Sequence, residues 1–566
     1  MNIQTILAWL NPAYIAQEIS KAVQLFPLTI ISSVVVAAQF VRTIHQSEGP
    51  NEFILAIGLL GISGFIAAEL AAKSWRIANH DILSRLIYNA LMLGLLIIVA
   101  FPLQSHDLTD FTIVKYIAFG AALHGLASII LYLGKRADDL SFWSFNAKMF
   151  IAAISSGILA WFLMAGILMI LGALDLLFDV NVNDLYGDTM VIVAFPVLTT
   201  IFLARMPKVG QDHSVEITNF IHRLLSFIIW PLLMIYGAIL WAYLFKIVID
   251  GVMPRGVVWP LVGGFSIVLM LASALSWQHE TLRNIARWTI RLSAPLLALQ
   301  WIAIFQRIDQ YGFTIYRTVA VYYSVLSSVI IVYFALRRNP KWLVVPTLGT
   351  VMAISLAYGP LSGETVGFRS QSNRFLDIVE QYELLNEGTW QVEMVDSLPD
   401  SARVQLRGTL YYLCETPERV IASEKLTFLH DQNELHDITF RILVDQLALD
   451  RASGSPIDIH DELTNISFFA DSEWVEIADG QQVSIVPNGR LYDDSYIDGK
   501  FKMRPSDRDS IIQSILDGHT YGKLIKVPVS NKTQKGQLII LECKVTGYQS
   551  NPNLYLQRGL FVVDQD

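Results

Sequence analysis

Residues 149–173 read MFIAAISSGILAWFLMAGILMILGA and contain no charged side chain. About 20 consecutive apolar residues in a helix are enough to cross the hydrocarbon core of a bilayer. The run is too long for a strand, and it lacks the polar face of a helix on the surface of a soluble protein. It therefore predicts a membrane-spanning helix.

Ten further apolar runs of this kind flank the first one. They lie at 25–43, 53–72, 85–103, 111–132, 189–204, 221–247, 257–277, 291–306, 316–336 and 342–359. Only 16% of the 566 residues are charged and the mean hydropathy is +0.45, whereas soluble proteins contain about 25% charged residues. The sequence predicts a polytopic α-helical membrane bundle of about 11 spans and excludes a soluble enzyme or a disordered chain.

The charge distribution divides the chain near residue 360. Residues 1–360 carry a net charge of +4 and residues 361–566 carry −13. We interpret 1–360 as a transmembrane helical domain and 361–566 as a soluble α+β extracytoplasmic domain. The second domain shows helix-type spacing at 371–385, 436–450 and 507–517, and strand-type runs at 389–395, 403–414, 473–478, 481–487, 523–528 and 537–547.

Basic residues concentrate in every second loop between the predicted spans. These residues are Lys73, Arg76, Arg85, Lys135, Arg136, Lys148, Arg205, Lys208, Arg223, Arg283, Arg287, Arg291, Arg337, Arg338 and Lys341. The loops at 104–110 and 174–190 contain no Lys or Arg. Because basic loops stay in the cytoplasm, we expect a cytoplasmic N-terminus. An odd number of spans then places residues 361–566 outside the cytoplasm.

Both cysteines of the chain, Cys414 and Cys543, fall in the predicted extracytoplasmic domain. Disulfides persist outside the cytoplasm, so this pair is a candidate disulfide. Two buried free thiols are the alternative.

Ionisable residues gather near the predicted outer ends of the spans, where they are costly and often functional. They are Lys115, Asp175, Lys246, Asp250, Arg307, Asp309, Arg317, Arg369 and Arg374, with Tyr311 close by in sequence. One interpretation is an outer-leaflet pocket for an anionic group such as a lipid phosphate, which the guanidinium fork of arginine suits. The other is a structural network in which these cations pair with the aspartates or extend to the interface.

Four other polar residues lie deeper within the spans: Glu69, Asn89, His124 and Gln300. Only the histidine titrates near neutral pH. One interpretation of these four residues is a proton relay across the membrane. The other is ordinary hydrogen-bonded packing.

Several stretches resemble the bacterial family called domain of unknown function 4153. They are Ser141–Asn146 (SFWSFN), Ala173–Phe178 (ALDLLF), Trp230–Leu233 (WPLL), Ala242–Ile247 (AYLFKI), Arg307–Thr314 (RIDQYGFT) with Arg317, Gly359-Pro360, Ser370-Gln371 and Arg374. The resemblance covers residues 20–385 approximately. It implies a multi-pass protein of the bacterial cytoplasmic (inner) membrane and carries no activity with it.

The sequence contains no H-E-x-x-H, P-loop or G-x-S-x-G motif, so we expect no cofactor, no metal and no assignable catalytic residue. The net charge of −9 argues against nucleic acid. We therefore expect a non-enzymatic envelope protein whose residues 361–566 sense or dock an envelope protein partner. The alternative is a transporter or lipid-handling protein that binds membrane lipids at the outer-leaflet basic residues. A membrane enzyme acting on a lipid-linked substrate is a third hypothesis.

Overall fold

The structure is a computed structural model. It describes residues 12–429 except for 47–48, 78–79, 105–108, 134–138, 179, 181, 208–218, 252–257, 387 and 396, and beyond them Leu443, Leu447, Leu449 and eight strands between residues 464 and 563. The chain forms two compact units, residues 1–450 and 451–566. Each unit is described by itself.

Apolar helices build most of the first unit. They are α1 (Pro12–Leu25), α2 (Pro27–Gln46), α3 (Glu52–Ser74), α4 (Asp81–Ala100), α5 (Asp110–Ile129), α6 (Asp139–Phe178), α7 (Asn183–Ile192), α8 (Leu198–Ala204), α9 (Asn219–Leu224), α10 (Trp230–Asp250), α11 (Val258–Ser276), α12 (Glu280–Ser293), α13 (Leu297–Tyr311), α14 (Ile315–Leu336) and α15 (Val344–Ala357). In the described part of the chain, ten helical segments are long and apolar enough to cross a membrane. The prediction of a polytopic helical bundle is therefore confirmed at this level.

The crossing helices contain irregular turns at prolines. A π-helical turn at Val193–Val197 joins α7 to α8 and contains Pro196. A second π turn, Leu225–Ile229, precedes Pro231, and a 3-10 turn at Ala294–Leu296 contains Pro295. Proline lacks the backbone N–H that a regular helix needs and clashes with the preceding turn. The prolines therefore account for the irregular turns in these segments.

The eleventh apolar run forms the short helix α15, whose 14 residues rise about 21 Å. At its beginning, Trp342 packs on Phe334 near the end of α14, with the rings 4.6 Å apart. At its end, the Tyr322 hydroxyl near the beginning of α14 bonds to Ser355 at 2.7 Å. Helix α15 therefore runs antiparallel to α14. We call the end where α14 begins the cap end, and the end where Arg337 and Arg338 follow α14 the basic end.

Residues 363–429 form a helical cap that packs within the first unit. The cap contains α16 (Gly363–Gln381), α17 (Val392–Val395), α18 (Asp400–Cys414), α19 (Pro417–Ile421), a 3-10 turn (Glu424–Leu429) and a hairpin of β1 (Leu385–Asn386) and β2 (Thr389–Trp390). Its core contains Phe375, Leu406 and Leu410. Stacked rings of Phe375, Phe428 and Trp390 extend this core.

The strand predicted at 403–414 is wrong, because these residues belong to helix α18. The buried residues Ala402, Leu406, Leu410 and Leu413 recur at three- to four-residue intervals, which is the spacing of one helix face. The many aromatic and apolar residues of the segment favoured a strand. Their spacing, rather than their type, determines the fold here.

The second unit contains one antiparallel sheet in its described part. Its strands are β3 (Thr464–Phe469), β4 (Val483–Val486), β5 (Gly489–Arg490), β6 (Tyr496–Ile497), β7 (Phe501–Met503), β8 (Ile525–Ser530), β9 (Lys535–Tyr548) and β10 (Asn551–Val563). The long strands β9 and β10 pair with each other, and β8 pairs with β9.

The strands predicted at 481–487, 523–528 and 537–547 correspond to β4, β8 and β9. The strand predicted at 389–395 is present only at its beginning. Strand β2 covers Thr389–Trp390, and the short helix α17 (Val392–Val395) follows it. The predicted helix at 507–517 and the predicted strand at 473–478 lie outside the described residues. Of the predicted helix at 436–450, the structure describes only Leu443, Leu447 and Leu449. The α+β class of 361–566 and the boundary at 360 stay predictions.

Candidate functional site

The turn between α13 and α14 brings several predicted site residues together. Helix α13 ends at Tyr311, and Gly312 follows with φ +71° and ψ −176°. This backbone conformation is accessible almost only to glycine. The last carbonyls of α13 have no partner inside the helix and carry the negative end of its dipole. They therefore need donors from outside the helix.

Helix α16 of the cap supplies several of these donors. Arg374 donates to the carbonyl oxygen of Gln310 at 3.0 Å and to that of Asp309 at 3.5 Å. The Gln371 amide donates to the carbonyls of Tyr311 at 3.1 Å and Phe313 at 2.6 Å. Ser370 accepts a hydrogen bond from the backbone N–H of Phe313. These hydrogen bonds connect the cap directly to the turn between α13 and α14.

Two more arginines surround the ring of Tyr311. The guanidinium of Arg317 lies 5.0 Å from the ring centroid and that of Arg307 lies 5.7 Å from it. Arg317 also donates from Nη1 to the carbonyls of Tyr311 and Gly312. We call Arg307, Arg317 and Arg374, around Tyr311, the arginine cluster. The positive charges of Arg307 and Arg374 act on Arg317, so the three groups share one electrostatic environment.

No carboxylate neutralises the arginine cluster among the residues that the structure describes. The ion pairs found there involve other residues, and Asp309 contributes its backbone carbonyl rather than its side chain. Within the described residues, the side chain of Arg307 interacts with the ring of Tyr311 by stacking. The partial charge of a helix terminus is about half an elementary charge. It offsets only a fraction of three guanidinium charges.

The other candidates do not join the cluster. Asp175, Lys246 and Asp250 are exposed, and within the described residues they form no ion pair with it. Arg369 is an exposed residue of α16. Lys115 stacks 4.9 Å above the ring of Tyr358 instead. Among the described residues, no ion pair supports the interpretation of a network paired through these aspartates, and it stays an alternative.

A second group of contacts links the bundle to α18 beside the cluster. Tyr316 donates to the carboxylate of Asp110 at 2.7 Å. Burial, and then the negative charge of Asp110, raise the pKa of Glu415. The aromatic ring of Phe111 meets Tyr412 edge-on at 5.0 Å. Residues of α5, α14 and α18 therefore meet at the cap end.

Cys414 ends helix α18, and its thiol has no disulfide partner among the residues that the structure describes. Burial, with a smaller contribution from Glu415, raises the pKa of this thiol to about 12. The thiol stays protonated at neutral pH, and a protonated thiol is a poor nucleophile. The pairing of Cys414 with Cys543 stays a prediction.

Another polar group lies inside the bundle, on α3 and α4. Glu69 is 2% exposed, and Arg85 binds both of its carboxylate oxygens, at 2.7 and 3.2 Å. Asn89 donates to the same carboxylate at 2.8 Å. Arg85 also donates to the carbonyls of Gln24 and Leu25 at the end of α1. This network joins three helices through hydrogen bonds between its own members, which is a structural rather than a ligand-binding geometry.

Comparison with known proteins identifies the membrane part. The family model described as "Domain of unknown function (DUF4153)" matches residues 23–370, which is more than half of the chain. The chain belongs to this family. No curated protein and no solved structure matches the chain significantly. The resemblance drawn from the short motifs is thus confirmed.

The DUF4153 match includes Arg307, Tyr311 and Arg317 and ends at Ser370, at the contact between the bundle and the cap. Arg374 lies just beyond it. The sequence interpretation missed Gly312 and Asp110. Glycine after the last residue of a helix is a recognisable C-terminal signal, so the first could have been found. Nothing in the sequence indicates that Asp110 meets Tyr316, which lies 206 residues away.

Proposed function

We propose that this multi-pass membrane protein binds an anionic, phosphate-bearing lipid headgroup at the arginine cluster beneath the cap. The observation that carries the proposal is the meeting of Arg307, Arg317 and Arg374 without a carboxylate among the described residues. Guanidinium groups bind phosphate through paired, charge-assisted hydrogen bonds. Arg317 donates to the protein from Nη1, and among the described residues its Nε and Nη2 make no hydrogen bond. Docking of an envelope partner by 361–566 stays a prediction.

Within this proposal, the cap lies outside the cytoplasm and the basic end faces the cytoplasm of the bacterial inner membrane. The antiparallel course of α15 supports an eleventh crossing, since its contacts lead from the end of α14 back to its beginning. Arg337, Arg338 and Lys341 lie at the basic end, in agreement with the rule for cytoplasmic loops. The cap then rests on the outer leaflet, where the proposed headgroup lies.

Reporter fusions test this orientation. Alkaline phosphatase, which folds only outside the cytoplasm, should be active when fused after Leu429 and inactive when fused after Lys341. The expected contrast follows from one crossing, α15, between the two fusion points. Equal activities at the two points would show that α15 does not cross, and the outer-leaflet assignment would fail.

Lipid retention tests the binding site itself. The full chain in nanodiscs that contain both phosphatidylglycerol and phosphatidylcholine should enrich the former around itself. In Arg307→Gln this enrichment should fall by about tenfold, because a hydrogen bond to a charged group contributes about 1.5–3 kcal/mol. Arg307 is the variant of choice because it does not hold the cap through hydrogen bonds in the described structure.

Arg369→Gln is the matched control, since it removes the same charge from an exposed position on α16. Phosphatidylglycerol enrichment should be unchanged in it. A loss as large as that of Arg307→Gln would indicate general surface attraction. An unchanged enrichment in Arg307→Gln would contradict a headgroup site at the cluster.

A further inference from the structure

A groove lined mainly by apolar side chains lies on the outside of the bundle, toward the basic end. Its volume is about 800 Å³, and it runs between α10 and the amphipathic helix α12. Leu233, Met234, Ala238 and Trp241 line one wall. Phe265 of α11 closes the floor. This groove is separate from the arginine cluster, which lies at the turn between α13 and α14.

Helix α12 lies over the groove with two different faces. Leu282, Ala286 and Ile290 are buried against the bundle. Trp288 and Leu292 line the groove and remain 63% and 59% exposed. The indole N–H of Trp241 donates to the carbonyl of Leu292 at 3.1 Å, which fixes α12 against α10. The groove is therefore bounded by two helices that are hydrogen-bonded to each other, and it has an open, apolar side.

The rim of the groove carries positive charge. The Arg291 guanidinium stacks 5.3 Å from the ring of Trp288, which lines the groove, and its Nε donates to the carbonyl of Ala335 at the end of α14. Arg337 and Arg338, both exposed, follow α14 directly. Glu280, the one carboxylate among the described lining residues, lies in the first turn of α12. There it faces the positive end of the helix dipole.

We propose that the groove binds one acyl chain of an anionic phospholipid whose phosphate lies against Arg291 and the basic end of α14. An apolar groove within the hydrocarbon depth of a membrane protein is covered by lipid tails. The basic rim selects among the headgroups, because interfacial helices with Lys and Arg attract anionic lipids. Pockets of about 300–1,000 Å³ are the usual size for specific ligand sites. The site lies in the leaflet opposite the arginine cluster and does not depend on the proposed function.

A photoreactive phosphatidylglycerol with a diazirine on its acyl chain tests this site in nanodiscs containing the full chain. Cross-links should concentrate on residues 233–241 and 281–292. Ala238→Trp places an indole in the groove at an exposed position of α10. We expect it to reduce these cross-links about tenfold, the change expected when roughly two buried methylene groups lose their contacts.

Ile239→Trp is the control, since Ile239 is exposed on the same helix but does not line the groove. Its cross-linking should match that of the natural sequence. Arg291→Gln should remove the preference for phosphatidylglycerol over a phosphatidylcholine probe with the same chain. Undiminished cross-linking in Ala238→Trp, or equal labelling of the natural sequence by the two probes, would overturn the proposal.

Discussion

Replacing Arg85 by methionine is expected to destabilise the bundle by about 3–5 kcal/mol, because Glu69 then loses its counter-ion in a buried position. Arg85 contacts both carboxylate oxygens of Glu69 and two carbonyls of α1. Methionine keeps an unbranched apolar stem and lacks the guanidinium group. The expected loss therefore reflects the uncompensated charge and the unpaired backbone groups rather than a cavity.

The midpoint of SDS-induced unfolding in mixed micelles measures this loss. Arg76→Met is the matched control, since Arg76 pairs with Asp81 at 3.0 Å on the surface and both side chains are more than half exposed. Such pairs contribute about 0–1 kcal/mol. The double variant Glu69→Gln/Arg85→Met should recover part of the stability, because the buried carboxylate that lost its partner is then neutral. If Arg85→Met were no more harmful than Arg76→Met, the network would not stabilise the bundle.

The network around Glu69 could be predicted from the sequence only in part. Glu69 and Asn89 are identifiable as polar residues within spans, while Arg85 is equally readable as a loop residue at a span boundary. The pairing depends on the angular positions of α3 and α4 about their axes. Packing between the helices determines these angular positions. They cannot be predicted from the sequence of one helix by itself. The residues could be predicted as unusual, but their partners could not.

The members of the arginine cluster were likewise predictable only in part. Depth in the membrane can be predicted from a residue's distance to the end of its span, since a helix rises 1.5 Å per residue. Depth alone grouped Lys246 and Asp250 with Arg307 and Arg317. In the structure, the arginines meet because they flank one tight turn, and α16 brings Arg374 to it. Arg307, Tyr311 and Arg317, which flank that turn, were predictable from their closeness in sequence. Arg374 was also predicted, but by the same argument from depth that selected Lys246 and Asp250.

The apolar runs were the most predictable part of the fold, because the bilayer imposes a minimum length on every crossing. The cap was the least predictable. Helix α18 contains Tyr411, Tyr412 and β-branched residues that favour strands locally. Burial of Leu406, Leu410 and Leu413 against α16 overrides this preference. Tertiary packing therefore determines secondary structure in this segment.

The substitution Gly312→Ala is expected to loosen the cap from the bundle. The backbone at Gly312, with φ +71° and ψ −176°, costs other residues about 1–3 kcal/mol. In addition, a Cβ atom here would lie 2.6 Å from Cδ of Arg374 and 3.0 Å from Nε2 of Gln371. Relief of this clash displaces the Arg374 and Gln371 side chains, and with them the hydrogen bonds that hold α16 on the turn.

Hydrogen–deuterium exchange over residues 363–381 measures the loosening, and amides of α16 should exchange faster in the variant. Gly388→Ala separates the two causes: Gly388 also has positive φ, +80°, but a Cβ there would have no neighbour within 4 Å. It should lower the stability of its hairpin through strain alone and leave exchange in α16 unchanged. Since Arg374 completes the arginine cluster, Gly312→Ala should also weaken phosphatidylglycerol retention. Normal exchange in α16 of Gly312→Ala would mean that the turn does not hold the cap.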